Sequence, residues 1–148
     1  MMEKLYMAYG SNLNLNQMAL RCPTAKPFRS TMLEGYQLIF SGVATIIPCE
    51  ESRVPVAVWK IDSECERALD RYEGYPTLYR KEYLPVCIDS EWYEPMIYIM
   101  NRFAPKLPCV EYYNIISDGY NDVGFDIEYL KQAIEVTEKY TKPSKNFV

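Results

Sequence analysis

The chain contains no histidine. Serine–histidine and cysteine–histidine catalysis are therefore excluded, as is any metal centre built on imidazole. Its cysteines, Cys22, Cys49, Cys65, Cys87 and Cys109, are scattered and form no C-x-x-C pair. An odd, dispersed set reads as reduced thiols filling core space, not as a disulfide framework or a zinc site. No block of lysine and arginine is present and the formal net charge is −4, which disfavours a nucleic-acid surface. No apolar run approaches the ~18 residues of a membrane span, and the N-terminus lacks a signal-peptide layout. Together these absences lead to the expectation of a cytoplasmic protein that meets neither membrane nor nucleic acid. Acid–base chemistry is left to Asp, Glu, Lys, Tyr or Cys.

What is present is a globular composition, 148 residues and 49% hydrophobic, enough for one domain with its own core. The domain is expected over residues 1–141, with 142–148 as a flexible tail. Tyrosine is over-used, with 14 copies, and phenols offer a pocket both ring surface and hydroxyl groups. An acidic, tyrosine-rich surface is also compatible with a homodimer.

The stretch Tyr6–Leu13 organises the rest. Lys4–Tyr9 reads as a buried strand and Gly10-Ser11-Asn12 as a tight turn. Leu13, Met18 and Leu20 then recur near helical spacing, within a helix over 14–21 that ends before Pro23. A strand–turn–helix junction leaves backbone amides unpaired and facing one way, which suits a carboxylate or phosphate. Gly10 permits close approach, while Ser11 and Asn12 either cap the helix or touch a ligand. Many such junctions serve structure alone, so both readings stand at this point.

Further along, 26–33 reads as extended, 36–40 and 43–47 as strands, the second closed by Pro48, and 49–53 as a polar loop. The clearest strand is 54–61. A helix follows, with Asp62 or Ser63 as N-cap and Ser63 with Glu66 fitting a capping box. Cys65, Ala68, Leu69 and Tyr72 form its apolar stripe, and Gly74 ends it before Pro76. Strands over 79–88 and 95–100 are expected to join as a hairpin. A helix over 109–117, a loop over 118–124 and a last helix capped by Asp126 and carrying Ile127, Leu130 and Ile134 complete the reading. Strands in runs, interrupted by helices, imply an α+β fold: a curved or barrel-like mixed sheet with helices packed outside.

Glu73 is the carboxylate of interest. It ends a helix, where the dipole disfavours an anion, and Leu69, Tyr72, Tyr75 and Leu78 offer an apolar wall that raises its pKa. A glutamate brought toward neutral pH takes up a proton and returns it. The competing reading is an exposed last-turn glutamate paired with Arg71, Arg80 or Lys81. No serine or cysteine shows a base beside it in sequence. An anion nest with a proton-shuttling carboxylate therefore suits a substrate carrying its own nucleophile, as in a cyclisation.

Two motifs, Tyr9-Gly10-Ser11-Asn12-Leu13 after the first strand and Leu69-Asp70-x-x-Glu73-Gly74 at the helix end, resemble the gamma-glutamylcyclotransferase family of the AIG2-like superfamily. Gly42–Ile46, Val58-Trp59-Lys60, Tyr98 and Tyr112 follow in matching order, so the resemblance spans Leu5 to Ile134. It implies a small mixed β-barrel flanked by helices, with a pocket at its mouth. It also implies a cofactor-independent transferase that cyclises a γ-glutamyl amino acid or γ-glutamylamine to 5-oxoproline and releases the free amine. Carried over by position, Glu73 is the acid–base. Tyr9, Gly10, Ser11, Asn12, Leu13, Tyr98 and Tyr112 bind the small-molecule γ-glutamyl substrate, with Tyr113 as the other register for the last. Neither metal nor cofactor is implied. Glutathione-specific relatives usually carry leucine where this chain has Asn12, which tilts the expectation away from glutathione. Two alternatives keep the same residues: a binding module without turnover, and an enzyme that removes a γ-glutamyl protecting group from a larger metabolite.

Overall fold

A long hairpin forms the frame. In the computed structural model, which describes residues 4–141, β2 (Lys26–Ser41) and β3 (Val43–Ile61) pair antiparallel from Lys26 opposite Lys60 to Ser41 opposite Val43. β1 (Lys4–Ala8) lies antiparallel along the last residues of β3, and β7 (Met96–Met100) runs parallel on its other side. β4 (Tyr79–Tyr83) pairs with β7, giving a five-stranded mixed sheet in the order β2-β3-β1-β7-β4. β5 (Val86–Ile88) and β6 (Glu91–Tyr93) form a separate two-stranded ribbon whose turn places Asp89 and Ser90 at positive φ.

The sheet curls strongly. Tyr79 Oη donates to the Ala44 carbonyl at 2.6 Å and the Met100 N–H to Thr45 Oγ1 at 3.1 Å, so the start of β3 meets β4 and β7. Among the described residues no ladder joins the edge strands β2 and β4. Helices α1 (Leu15–Arg21), α2 (Ser63–Glu73), α3 (Val110–Val123) and α4 (Glu128–Thr141) complete the α+β fold. Met7, Phe40, Val56, Leu69 and Ile97 are wholly buried in one core, and each such side chain stabilises the fold by about 1.5–3 kcal/mol. α4 docks on β2 through Thr137, whose Oγ1 accepts from the Phe40 N–H at 3.0 Å and donates to the Ala133 carbonyl at 2.7 Å. No described helix is long and apolar enough to cross a membrane.

Several local expectations change. Segments 26–33 and 48–53 belong to β2 and β3, which are continuous. β1 pairs only with residues 57–61 of β3, so Pro48 and Pro55 lie where β3 has no second neighbour to miss their N–H groups. The expected 79–88 strand divides at Leu84-Pro85, and the expected loop 118–124 continues α3 as far as Val123. Gly119 is no helix breaker but a point of contact: a Cβ there would meet the Asn14 nitrogen and Leu13 carbonyl carbon at 2.7 Å. α3 thus presses directly on the loop that follows β1.

Reduced thiols are the expectation for all five cysteines, but Cys22 and Cys65 form a disulfide. The register that sets Lys26 opposite Lys60 brings the end of α1 against the start of α2, closing a separation of 43 residues. Cys49, Cys87 and Cys109 are free thiols. The expected tail, 142–148, lies outside the described residues.

Candidate active site

Beyond β1 the chain turns through Tyr9 and Gly10 into a 3-10 turn, Ser11–Leu13, and then into α1. Asn14 caps that helix, its Oδ1 accepting from the Gln17 N–H at 3.1 Å, and this frees Ser11 and Asn12 from capping. Asn12 Nδ2 donates to Tyr6 Oη at 2.9 Å, and Ser11 Oγ lies 3.0 Å from Tyr72 Oη. The Leu13 N–H bonds to the Gly10 carbonyl, while the amides of Gly10, Ser11 and Asn12 meet no acceptor among the described residues. A Cβ on Gly10 would lie 3.2 Å from Ala44 Cβ and 3.6 Å from Tyr112 Oη, so a side chain there would crowd β3 and α3.

Glu73 arrives from the other side. α2 starts at Asp62, whose Oδ1 accepts from the Cys65 N–H at 2.9 Å; Asp62, not Ser63, is the cap, so the expected capping box is not the one used. The helix stops where Gly74 takes φ 63°, with the Gly74 N–H on the Arg71 carbonyl and the Tyr75 N–H on the Asp70 carbonyl. That stop leaves Glu73 half-buried at the helix end, lining a cavity. Two of its three expected surface partners are occupied elsewhere, Lys81 at 2.6 Å from Glu66 and 2.9 Å from Asp70 and Arg80 at 2.7 Å from Glu82, and the third, Arg71, makes no salt bridge to it. Among the described residues Glu73 makes no salt bridge. Burial pushes its carboxyl up to about 7, against a smaller downward pull from Arg21.

The cavity, about 180 Å³, gathers Tyr9, Gly10, Ser11, Asn12, Glu73, Tyr98 and Tyr112 on one surface. Leu13 is not on it; fully buried, it backs the loop where Gly119 presses. Tyr112 lines the cavity, whereas Tyr113 faces an outer apolar groove with Leu107 and Ile134. The pocket phenols are held in place. Tyr9 Oη donates to the Tyr98 carbonyl and Tyr98 Oη to Asp70 Oδ1, both at 2.6 Å, while Tyr112 Oη accepts from the Ala44 N–H at 3.0 Å. Burial pushes the hydroxyls of Tyr9, Tyr79, Tyr98 and Tyr112 above the ordinary tyrosine value, so they stay protonated at neutral pH. Glu73 is the lining group poised to change charge there. No three His, Cys, Asp or Glu side chains converge as a metal site would need among the described residues.

Sequence reasoning missed Tyr6, Tyr79 and Arg21. The tyrosines carry no local mark that separates pocket from core. Arg21 looks like a cation complementing a helix C-terminus, a role that needs no further explanation.

The family model for "Gamma-glutamyl cyclotransferase, AIG2-like" matches residues 6–120. The chain is 29% identical over 157 residues to the gamma-glutamylcyclotransferase of Homo sapiens, spanning 95% of this chain and 84% of the relative. It is 28% identical over 145 residues to that of Bos taurus, spanning 86% and 76%. A solved gamma-glutamyl cyclotransferase structure superposes with a TM-score of 0.79 at 26% identity, covering 99% of this chain and 92% of that one. YkqA from Bacillus subtilis, at 16% identity and a TM-score of 0.77, shares the fold alone; the match covers 95% of this chain and 56% of that one.

Proposed function

This chain belongs to the gamma-glutamyl cyclotransferase, AIG2-like family, and we propose that it is an enzyme cyclising a γ-glutamyl amino acid or γ-glutamylamine to 5-oxoproline. The observation carrying this reading is a pairing across one cavity. On one wall are the amides of Gly10, Ser11 and Asn12, open among the described residues; on the other is a Glu73 carboxyl with no salt bridge among them, pushed up to about 7.

The chemistry follows from those two walls. The amides hold an anionic oxygen of the γ-glutamyl group. An α-ammonium, with an ordinary pKa of about 8, is mostly unreactive at neutral pH. Glu73 as carboxylate takes one of its protons, and the freed amine attacks the γ-carbonyl carbon. A new C–N bond closes the five-membered ring as the amide C–N bond to the leaving group breaks. Glu73 passes its proton to the leaving nitrogen, then takes the second proton shed by the ring nitrogen and passes it on likewise. The products are a neutral lactam and an ammonium, and Glu73 ends as it began. A carboxyl with a pKa near the working pH is suited to both directions of transfer. Nucleophile and electrophile share one molecule, so the entropy cost of bringing two reactants together is already avoided in the substrate, and the enzyme's part is to hold the folded conformer and move the protons.

The test is mass-spectrometric detection of 5-oxoproline from γ-glutamyl amino acids, γ-glutamylamines and glutathione, with Glu73→Gln alongside. Product from wild type alone supports the reading. Equal product from Glu73→Gln would remove Glu73 from the chemistry. Absence of product from every compound would favour a larger γ-glutamyl metabolite or binding without turnover, which ligand-induced thermal shifts distinguish.

A further inference from the structure

Arg21 ends α1, and its side chain turns back over the groups that build the cavity. Nη1 donates to Asn12 Oδ1 at 2.6 Å and Nη2 to Gln17 Oε1 at 2.7 Å. Its guanidinium carbon lies 3.4 Å from the centre of the Tyr72 ring, and the Tyr72 hydroxyl meets Ser11 Oγ. One side chain therefore grips both walls: the loop of open amides through Asn12, and the helix of Glu73 through Tyr72. The backbone beneath is tied as well, because the next residue, Cys22, is bonded to Cys65 of α2. A planar fork that donates in two directions while stacking on a ring is a guanidinium arrangement that an ammonium cannot reproduce.

We infer that Arg21 is a positioning residue, holding the Gly10–Asn12 amides in register with the Glu73 carboxyl and setting its positive charge over Tyr72, the residue before Glu73. This rests on the cyclisation reading above. Among the described residues the titratable and charged groups that act on Glu73 from other elements are Arg21 from α1, Tyr6 and Tyr9 at β1 and its following turn, Tyr79 from β4, Tyr98 from β7 and Tyr112 from α3, while Tyr72 lines the cavity from its own helix. Burial keeps the five phenols from other elements neutral, so Arg21 is the charge that opposes the upward push on Glu73. Without it, Glu73 holds its proton to higher pH and fewer molecules carry the base at neutrality.

The experiment compares wild type, Arg21→Met and Arg21→Lys. In Arg21→Met the acid limb of kcat/KM moves up by about half to one pH unit, and kcat/KM at pH 7 falls about 10–100-fold. In Arg21→Lys the charge remains and the fork is lost. The limb then stays within about 0.3 unit of wild type while KM rises at least about fivefold. An unmoved limb in Arg21→Met with kcat/KM within about threefold of wild type overturns the assignment. If circular dichroism shows that Arg21→Met does not fold, Arg21→Lys decides, and wild-type kinetics there overturn it. Titration of the Glu73 carboxyl by carbon-13 NMR in wild type and Arg21→Met needs no turnover. A midpoint raised in the variant supports the assignment even if every tested compound is inert, and an unchanged midpoint counts against it; failure here is thus separate from failure of the cyclisation reading.

Discussion

Glu66 and Glu73 lie two turns apart on one stripe of α2, yet they face different surroundings. Glu66 meets Lys4 at 3.0 Å and Lys81 at 2.6 Å, and Lys81 also reaches Asp70 at 2.9 Å. Burial pushes the Glu66 carboxyl up, but hydrogen bonds from the two lysines outweigh it and hold the group below the ordinary value. Glu73 is more deeply desolvated and, among the described residues, has no lysine on it; Arg21 gives a smaller downward pull, and the carboxyl rises to about 7. Lys4 opens β1 and Lys81 is central in β4, whereas the cavity lies beyond the other end of β1. What separates a fixed ion pair from a titrating group is therefore height along the sheet. Tyr98 joins the two regions, lining the cavity with its ring while donating to Asp70.

That contrast can be broken at the cavity first. On the proposed mechanism Glu73→Gln lowers the rate of 5-oxoproline formation by at least about 10³-fold, read by mass spectrometry. At the paired flank, Lys81→Met leaves Glu66 and Asp70 without their shared cation and destabilises the fold by about 2–3 kcal/mol in urea unfolding at pH 7. Because the folded-state pKa of Glu66 is depressed, its stabilisation is present above the ordinary glutamate value. It is lost as pH falls through the folded value, so the gap between wild type and Lys81→Met narrows in acid. The cavity end has the opposite sign. With Glu73 raised, the folded state loses stability as pH climbs from the ordinary value through about 7. Glu73→Gln is accordingly more stable than wild type by about 1–2 kcal/mol at pH 8.5, after discounting for its partial exposure, and the gap closes toward pH 4; paired thermal melts measure it. A comparably small effect comes from the bridge: Tyr98→Phe removes one hydrogen bond to a carboxylate that keeps Lys81, and costs about 1.5 kcal/mol in urea unfolding.

The two walls of the cavity were legible as local patterns. A strand run into Gly10-Ser11-Asn12, and a helix stopped by Gly74 and Pro76 just after an acidic residue, are each written within a dozen positions. The matching family motifs placed them in one protein. Cross-strand effects were not legible. Pro48 and the polar run 49–53 carry breaker signals, and only the absence of a second neighbour along that part of β3 lets the strand continue. Gly119 reads as a loop residue until α3 is seen pressed on Leu13 and Asn14. Cys22 and Cys65 have no diagnostic spacing, since the hairpin between them sets their approach.

By itself, then, the sequence determined the local geometry near the cavity: an amide-bearing turn and a glutamate at a helix end, because φ preferences, capping and chain punctuation act over a few residues. Only the tertiary structure decided that these two elements face each other. It also decided that the lysines go to Glu66 and Asp70, and that Arg21 bridges Asn12 and Tyr72. Burial and charge pairing depend on distances between residues far apart in the chain, and those distances are properties of the folded sheet.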